Sequence, residues 1–258
     1  MSDLRLLVDK SVVITGAGSG VGRAAAILFV QHGARVVCAD VREDWAQQTV
    51  DLIGAQGSAV AQACDVRREA DVQAAVDRAV REFGRLDVMY NNAGVATATD
   101  GRSHSLIEQG DDDFDRLVGI NLRGVTYGCQ IAVRRFLEQG GGGVIVNTGS
   151  VAGMVGWGGV MYGASKGAVN QMTRGLAIEA AKHGIRVNAV CPGAVDTPML
   201  ARLAASAAGV KEGLTQQKPL ARVGTPAEVA AAVVWLCSDA ASFVTGHALA
   251  VDGGFVAQ

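Results

Sequence analysis

Tyr162 and Lys166 stand four residues apart in Met161-Tyr162-Gly163-Ala164-Ser165-Lys166, and Ser150 lies twelve residues earlier in Asn147-Thr148-Gly149-Ser150. Residues i and i+4 share one face of a helix, so this spacing sets an ammonium beside a phenol. A free phenol titrates near about pH 10 and is protonated at neutrality. A fixed neighbouring cation favours the phenolate and brings its pKa down toward the working range of a general base. A tyrosine with a lysine one turn on is also common on inert surface helices. Its meaning therefore depends on what else the chain supplies.

A second chemical feature lies near the N-terminus. Thr15-Gly16-Ala17-Gly18-Ser19-Gly20-Val21-Gly22 follows an apolar run and opens a helical one. Glycines let backbone approach a pyrophosphate, and a helix N-terminus offers free N–H groups and the positive end of a dipole. The next apolar run closes on Asp40, where a carboxylate can accept bonds from a ribose diol. The plainer alternative for Asp40 is a helix N-cap. A carboxylate there repels a 2′-phosphate, and neither Ser19 nor Val41 is basic; Arg42 is the nearest cation. NAD is expected over NADP.

The elements that must carry these groups alternate along the whole chain. Strands are predicted at Ser11–Gly16, Arg35–Asp40, Ala59–Asp65, Leu86–Asn91, Gly143–Thr148, Arg186–Cys191 and His247–Val251. Helical stretches include Gly20–His32, Arg68–Phe83 and Tyr162–Lys182. Continuous apolar strands suit parallel sheets covered on both faces. Alternation with helices predicts a doubly wound, Rossmann-type α/β sheet of about seven mostly parallel strands with right-handed crossovers. Thr225-Pro226-Ala227-Glu228 is an N-cap, a proline at N1 and a glutamate at N3, opening a helix that ends near Cys237. No linker or repeat divides the 258 residues, so one domain is expected. Within it the dinucleotide-binding half covers about residues 1–150 and the catalytic half about 151–258, with a lid over about 197–218.

Composition narrows the classes. A net charge of −2 supplies no basic field for nucleic acid or an anionic membrane surface. No apolar run reaches the roughly 18 residues of a membrane span, and the first ten residues do not resemble a signal peptide. Five cysteines, at 38, 64, 129, 191 and 237, form no C-x-x-C pair and sit mostly in apolar runs. They are expected to be reduced, buried thiols in a cytoplasmic protein, with neither disulfide nor zinc. The four histidines fall at no motif position and no metal site is expected.

Taken in order, these features resemble the short-chain dehydrogenase/reductase family in its compact form of about 250 residues. The resemblance covers essentially the whole chain. It rests on the glycine turn at 15–22, Cys64-Asp65-Val66, Asn91-Asn92-Ala93-Gly94, Asn121, Ser150, Tyr162, Lys166, Pro192-Gly193 and Val251-Asp252-Gly253-Gly254.

The resemblance implies roles, position by position. Gly16, Ser19, Gly20 and Val21 would hold the pyrophosphate, Asp40 and Val41 the adenosine ribose, and Asp65 and Val66 the adenine ring. Asn92, Ala93 and Gly94 would line the path of the adenine-side ribose, where a side chain at Gly94 would block close approach of the cofactor. Pro192, Gly193, Val195 and Thr197 would hold the nicotinamide. Tyr162 would exchange a proton with the substrate oxygen, Ser150 would bond that oxygen, and Lys166 would bind the nicotinamide ribose while lowering the Tyr162 pKa. Asn121 would hold a water in a proton relay. The implied activity is NAD-linked interconversion of a secondary alcohol and a ketone. Rivals are a 3-oxoacyl thioester (acyl-carrier-protein) reductase and a non-catalytic dinucleotide sensor. A homotetramer is also implied.

The substrate end is less legible. Trp157, set among Gly156, Gly158 and Gly159, is either a wall of the pocket or a subunit contact. Met199 opens the Ala-rich stretch to Lys218 that resembles a mobile lid. Its apolar character points to a hydrophobic or cyclic alcohol. The polar stretch 95–113, with Thr97, Thr99, Asp100, Arg102, Ser103 and His104, is expected at the rim. Asp111-Asp112-Asp113 is expected to open a helix rather than to bind a metal.

Overall fold

The computed structural model describes residues 5–97, 105–205 and 210–258. Thr99, Asp100, Arg102, Ser103 and His104 of the expected rim, and residues 206–209 of the expected lid, lie outside the described residues. The nucleotide half contains β1 (Ser11–Thr15), α1 (Gly20–Gln31), β2 (Arg35–Asp40), α2 (Glu43–Ile53), β3 (Ala59–Ala63), α3 (Glu69–Phe83) and β4 (Val88–Asn91). There follow α4 (Asp111–Val118), α5 (Gly124–Glu138), β5 (Gly143–Thr148), α6 (Val160–Ala180) and β6 (Ile185–Pro192). The chain ends through α7 (Pro198–Ala205), α8 (Val210–Gln216), α9 (Pro226–Cys237) and β7 (Ala248–Val251).

The seven strands make one sheet in the order β3-β2-β1-β4-β5-β6-β7, and all six pairings are parallel. The order reverses between β1 and β4, which opens a crevice at the carboxyl ends of those strands. Period-two alternation sends Val12, Ile14, Val36 and Cys38 toward a layer with Phe29 and Val30 of α1 and Val229 and Val233 of α9. Their neighbours Val13 and Val37, with Met89, Ile145 and Val187, face Val72, Val76 and Phe83 of α3, Phe136 of α5 and Val169 of α6. Both strand faces are apolar because both are covered.

Strand ends depart from expectation where side chains claim the backbone. Gly16 leaves β1 at φ +67. Leu86 bonds the Gln139 side-chain amide through both its N–H and its carbonyl, at 2.8 Å each, so β4 starts at Val88. Asp65 lies beyond β3, its N–H held by Asp71 at 3.1 Å. The capping box at Thr225 and Glu228 forms as expected, and Asp111–Asp113 make the first turn of α4. Between α4 and α5 the helix widens into a π-turn, Gly119–Arg123, which carries Asn121 inward to complete burial.

Candidate active site

One cavity of about 680 Å³ runs along the carboxyl ends of the strands. Of the site residues inferred from sequence, all but Asn121 line it. At its nucleotide end the turn after β1 is shaped by close approach. A Cβ at Gly22 would lie 2.1 Å from the Gly16 carbonyl oxygen, which excludes any other residue there. Ser19 precedes α1 with a side chain that makes no capping bond, so the hydroxyl and the helix N-terminus both face the cavity. Asp40 is not a helix N-cap. Its Oδ2 accepts from the Gly18 N–H at 2.9 Å and its Oδ1 from the Arg42 N–H at 3.0 Å. It therefore fastens the glycine turn to the end of β2 while facing the cavity. Asn92 works similarly: its amide donates to the Thr15 carbonyl at 3.0 Å and the Gly16 carbonyl at 3.3 Å.

Two cations lining this end are already paired with carboxylates. Arg42 grips Asp44 at 3.1 and 2.9 Å and stacks over Trp45 at 4.7 Å. Arg67 grips Asp65 at 2.9 and 3.0 Å, and this bonding holds the Asp65 carboxyl below the usual range. Val41, Val66 and Ile120 supply apolar surface beside them.

At the other end Ser150, Tyr162 and Lys166 converge. Ser150, after β5, caps the turn that follows it: its Oγ accepts from the Ala152 N–H at 3.1 Å. It also lies near enough to the Tyr162 hydroxyl to lower that group's pKa. Lys166, one turn beyond Tyr162 on α6, is buried, with Nζ donating to the Thr148 carbonyl at 2.7 Å and lying 6.0 Å from the Tyr162 ring centre. Thr148 Oγ in turn donates to the Tyr90 hydroxyl at 3.0 Å.

Two opposing influences act on Tyr162. Burial raises its pKa above the ordinary phenol value, and the nearby Ser150 hydroxyl lowers it. Lys166 has no carboxylate partner among the described residues that drives its titration, and burial pulls it from 10.5 to about 8. The i, i+4 spacing indicated proximity; it carried no information about desolvation.

Asn121 lies behind the cavity wall. Its Oδ1 accepts from the Val95 N–H at 2.8 Å, and its Nδ2 donates to the Val95 carbonyl at 2.9 Å and to Ser165 Oγ at 3.2 Å. A Cβ at Gly94 would meet Asn121 Oδ1 at 3.3 Å and Lys166 Nζ at 3.4 Å, so Gly94 keeps this corner open. Opposite, Gly193 packs against Asp252, and Thr197 Oγ accepts from the Leu200 N–H at 3.3 Å to start α7 after Pro198. Pro192 and Val195 line the same wall.

The substrate end is apolar. Trp157 and Met199 reach it as expected, and Leu200, Leu203 and Leu214 of α7 and α8 join them. Trp157 also packs on Phe255 of the same chain, with ring centres 5.4 Å apart. Sequence reading missed Leu200, Leu203, Leu214 and Arg67. The leucines fell within the lid stretch but could not be assigned a facing side, and Arg67 stood two residues beyond a named site residue. Phe255 carried a usable signal, as an aromatic directly after the closing Gly253-Gly254.

Comparison with known proteins agrees with this geometry. Residues 16–256 match a family described as enoyl-(acyl carrier protein) reductase. The chain is 43% identical over 260 residues to a 2,5-dichloro-2,5-cyclohexadiene-1,4-diol dehydrogenase of Sphingobium indicum, covering 100% of each. A solved short-chain type dehydrogenase/reductase from Mycobacterium marinum superposes with a TM-score of 0.91 at 33% identity, covering 99% of both chains. A 3-ketoacyl-(acyl-carrier-protein) reductase from Brucella melitensis, solved with NADH, gives 0.87 at 37% identity over 96% of this chain and 99% of that one. The chain belongs to the short-chain dehydrogenase/reductase family. It is an oxidoreductase that interconverts an alcohol and a ketone, and its cofactor is a nicotinamide dinucleotide.

Proposed function

We propose that the chain uses NAD(H) to interconvert a secondary alcohol, hydrophobic or cyclic, with its ketone. The observation that carries the cofactor assignment is Asp40, a carboxylate at the nucleotide end; Arg42 and Arg67, which line the same end, are each already held by a carboxylate. A 2′-phosphate brought there would meet the repelling charge of Asp40. The glycine turn, Ser19 and the open corner at Gly94 suit a dinucleotide, since bulk at Gly16, Gly22 or Gly94 would meet other groups. A nicotinamide dinucleotide held by these residues would supply the hydride chemistry.

The chain's own residues manage the proton. In oxidation the Tyr162 phenolate takes the alcohol proton, while Ser150 Oγ bonds the substrate oxygen as its charge develops. Lys166, held by the Thr148 carbonyl, positions the nicotinamide ribose and supplies positive charge beside it. The Asn121 side chain braces the wall behind Lys166 through Val95 and Ser165. Trp157, Met199 and the three leucines give the substrate end an apolar wall, in which Arg202 of α7 also takes part, and that wall suits an apolar ring. The dichlorocyclohexadienediol dehydrogenase relative is consistent with a cyclic alcohol.

A second reading, reduction of a 3-oxoacyl thioester, is favoured by the likeness to the 3-ketoacyl-(acyl-carrier-protein) reductase of Brucella melitensis. Oxidation of cyclic and aliphatic secondary alcohols with NAD and NADP, beside reduction of an acetoacetyl thioester, separates the two. Turnover confined to the thioester would overturn the cyclic-alcohol reading, and a preference for NADP would overturn the Asp40 argument. We further propose a cytoplasmic homotetramer. Five unpaired buried thiols suit a reducing compartment, and the exposed Ile178 and Phe243 offer apolar surface for subunit contacts. Light scattering on the purified protein tests the assembly.

A further inference from the structure

The last four residues are fastened to the segment that closes the substrate end. Asp252 winds them into a turn, its Oδ1 accepting from the Gly254 N–H and its Oδ2 from the Val256 N–H, at 2.9 Å each. Gln258 Nε2 then donates to the Gln217 carbonyl at 2.8 Å, and the Leu220 N–H donates to the Gly253 carbonyl at 3.1 Å. Gln217, just past α8, accepts from Trp157 Nε1 at 3.3 Å through its own Oε1. Phe255 fills the space between these strings. Its ring lies 5.4 Å from that of Trp157 and 5.9 Å from Lys218 Nζ, which bonds back to the Leu214 carbonyl. Lys218 is buried, so its stem and charge are set against Phe255 rather than in water.

Trp157 and Leu214 are cavity walls, while Phe255 is not among the residues lining it. Phe255 touches the Trp157 wall and the lysine that ties off α8. A ring that backs a wall residue fixes how far that wall can retreat. We propose that Phe255 is a specificity-determining positioning residue, which sets the size of ring the substrate end admits by holding Trp157 and the end of α8 in place. The proposal rests on the cyclic-alcohol reading above for its substrates but not for its mechanics.

The test compares Phe255→Ala and Phe255→Leu with the unchanged enzyme. With cyclohexanol and a fused bicyclic alcohol as substrates, Phe255→Ala should raise the bicyclic-to-monocyclic ratio of kcat/KM by about three- to tenfold, the worth of one aromatic contact. Phe255→Leu should recover part of the change, and NADH binding, followed by fluorescence, should stay within about twofold. Amide hydrogen exchange over residues 213–220 supplies a readout that needs no turnover, and it should quicken in Phe255→Ala. An unchanged ratio with unchanged exchange would overturn the proposal, as would an equal loss on both alcohols. If neither alcohol is turned over by the unchanged enzyme, the cyclic-alcohol reading fails and exchange alone decides the role of Phe255.

Discussion

Lys166 should make this protein less stable than it could be. Burial draws its pKa from 10.5 to about 8, which at neutral pH corresponds to roughly 3 kcal/mol spent keeping the ammonium charged in the fold. Its hydrogen bond to the Thr148 carbonyl, at 2.7 Å, returns about 1.5–2 kcal/mol. Lys166→Met removes both and keeps most of the volume, so a net gain of about 1–2 kcal/mol is expected, or a rise in Tm of roughly 2–6 °C. The sign of the pH dependence follows from the depressed pKa. Below about pH 8 the lysine is protonated in both states and the full penalty applies. Between about 8 and 10.5 the unfolded chain binds the extra proton, so stability from this group rises with pH. Urea unfolding at fixed protein concentration, at pH 7 and pH 9.5, measures both effects. The variant should unfold later than the unchanged protein at pH 7, and the two should converge at pH 9.5, while alcohol oxidation falls by at least about 100-fold. Destabilisation at pH 7, or parallel pH slopes in the two proteins, would refute the reasoning.

Other consequences follow from the same geometry. Burial raises the Tyr162 pKa and Ser150 lowers it, so kcat for alcohol oxidation should climb on an alkaline limb that Ser150→Ala moves to higher pH; a limb that stays or moves down contradicts the assigned roles. Asp40→Ala should raise the NADP-to-NAD ratio of kcat/KM at least about tenfold, and should also cost about 1–3 kcal/mol because the Gly18 N–H loses its acceptor. Arg186→Met should cost about 2–4 kcal/mol with KM unchanged, since this half-buried guanidinium bonds the carbonyls of Leu236 at 2.9 Å, Ser238 at 3.0 Å and Val244 at 3.3 Å. Denaturation midpoints and steady-state kinetics check both variants.

Much of the site was legible because its residues sit where strands end. Gly16, Asp40, Asn92, Ser150 and Pro192 each close or follow an apolar run, and a parallel sheet brings those ends to one edge. The register completes the alignment, with Thr15 level with Ala39 and Asn91 level with Asn147. Residues off that edge were harder to read. Asn121 owes its inward position to a π-turn, which no period in the sequence announces. Phe255 acts across 98 positions of chain on Trp157, and spacing does not encode such a contact. The strand boundaries at Leu86 and Asp65 moved because Gln139 and Asp71 took backbone groups from distant or local side chains. The Tyr162 pKa could not be read at all, because desolvation is a property of the packed neighbourhood.

Several groups at this edge do structural and chemical work together, and that constrains how the site can change. Asp40 faces the cofactor end while holding the turn that must approach it. Thr148 seats Lys166 through its carbonyl and ties Tyr90 through its hydroxyl, so the position of the ammonium is set by the core of β4 and β5. Asn92 bridges the ends of β1 and β4 at the reversal of strand order. None of these can be exchanged for altered chemistry without loosening the sheet edge. The side chains of Leu200, Leu203 and Leu214 on α7 and α8 instead pack on one another and face the cavity. Divergence in substrate with conserved chemistry should therefore fall on that lid and its Phe255 backing, while the edge that holds cofactor and proton stays fixed.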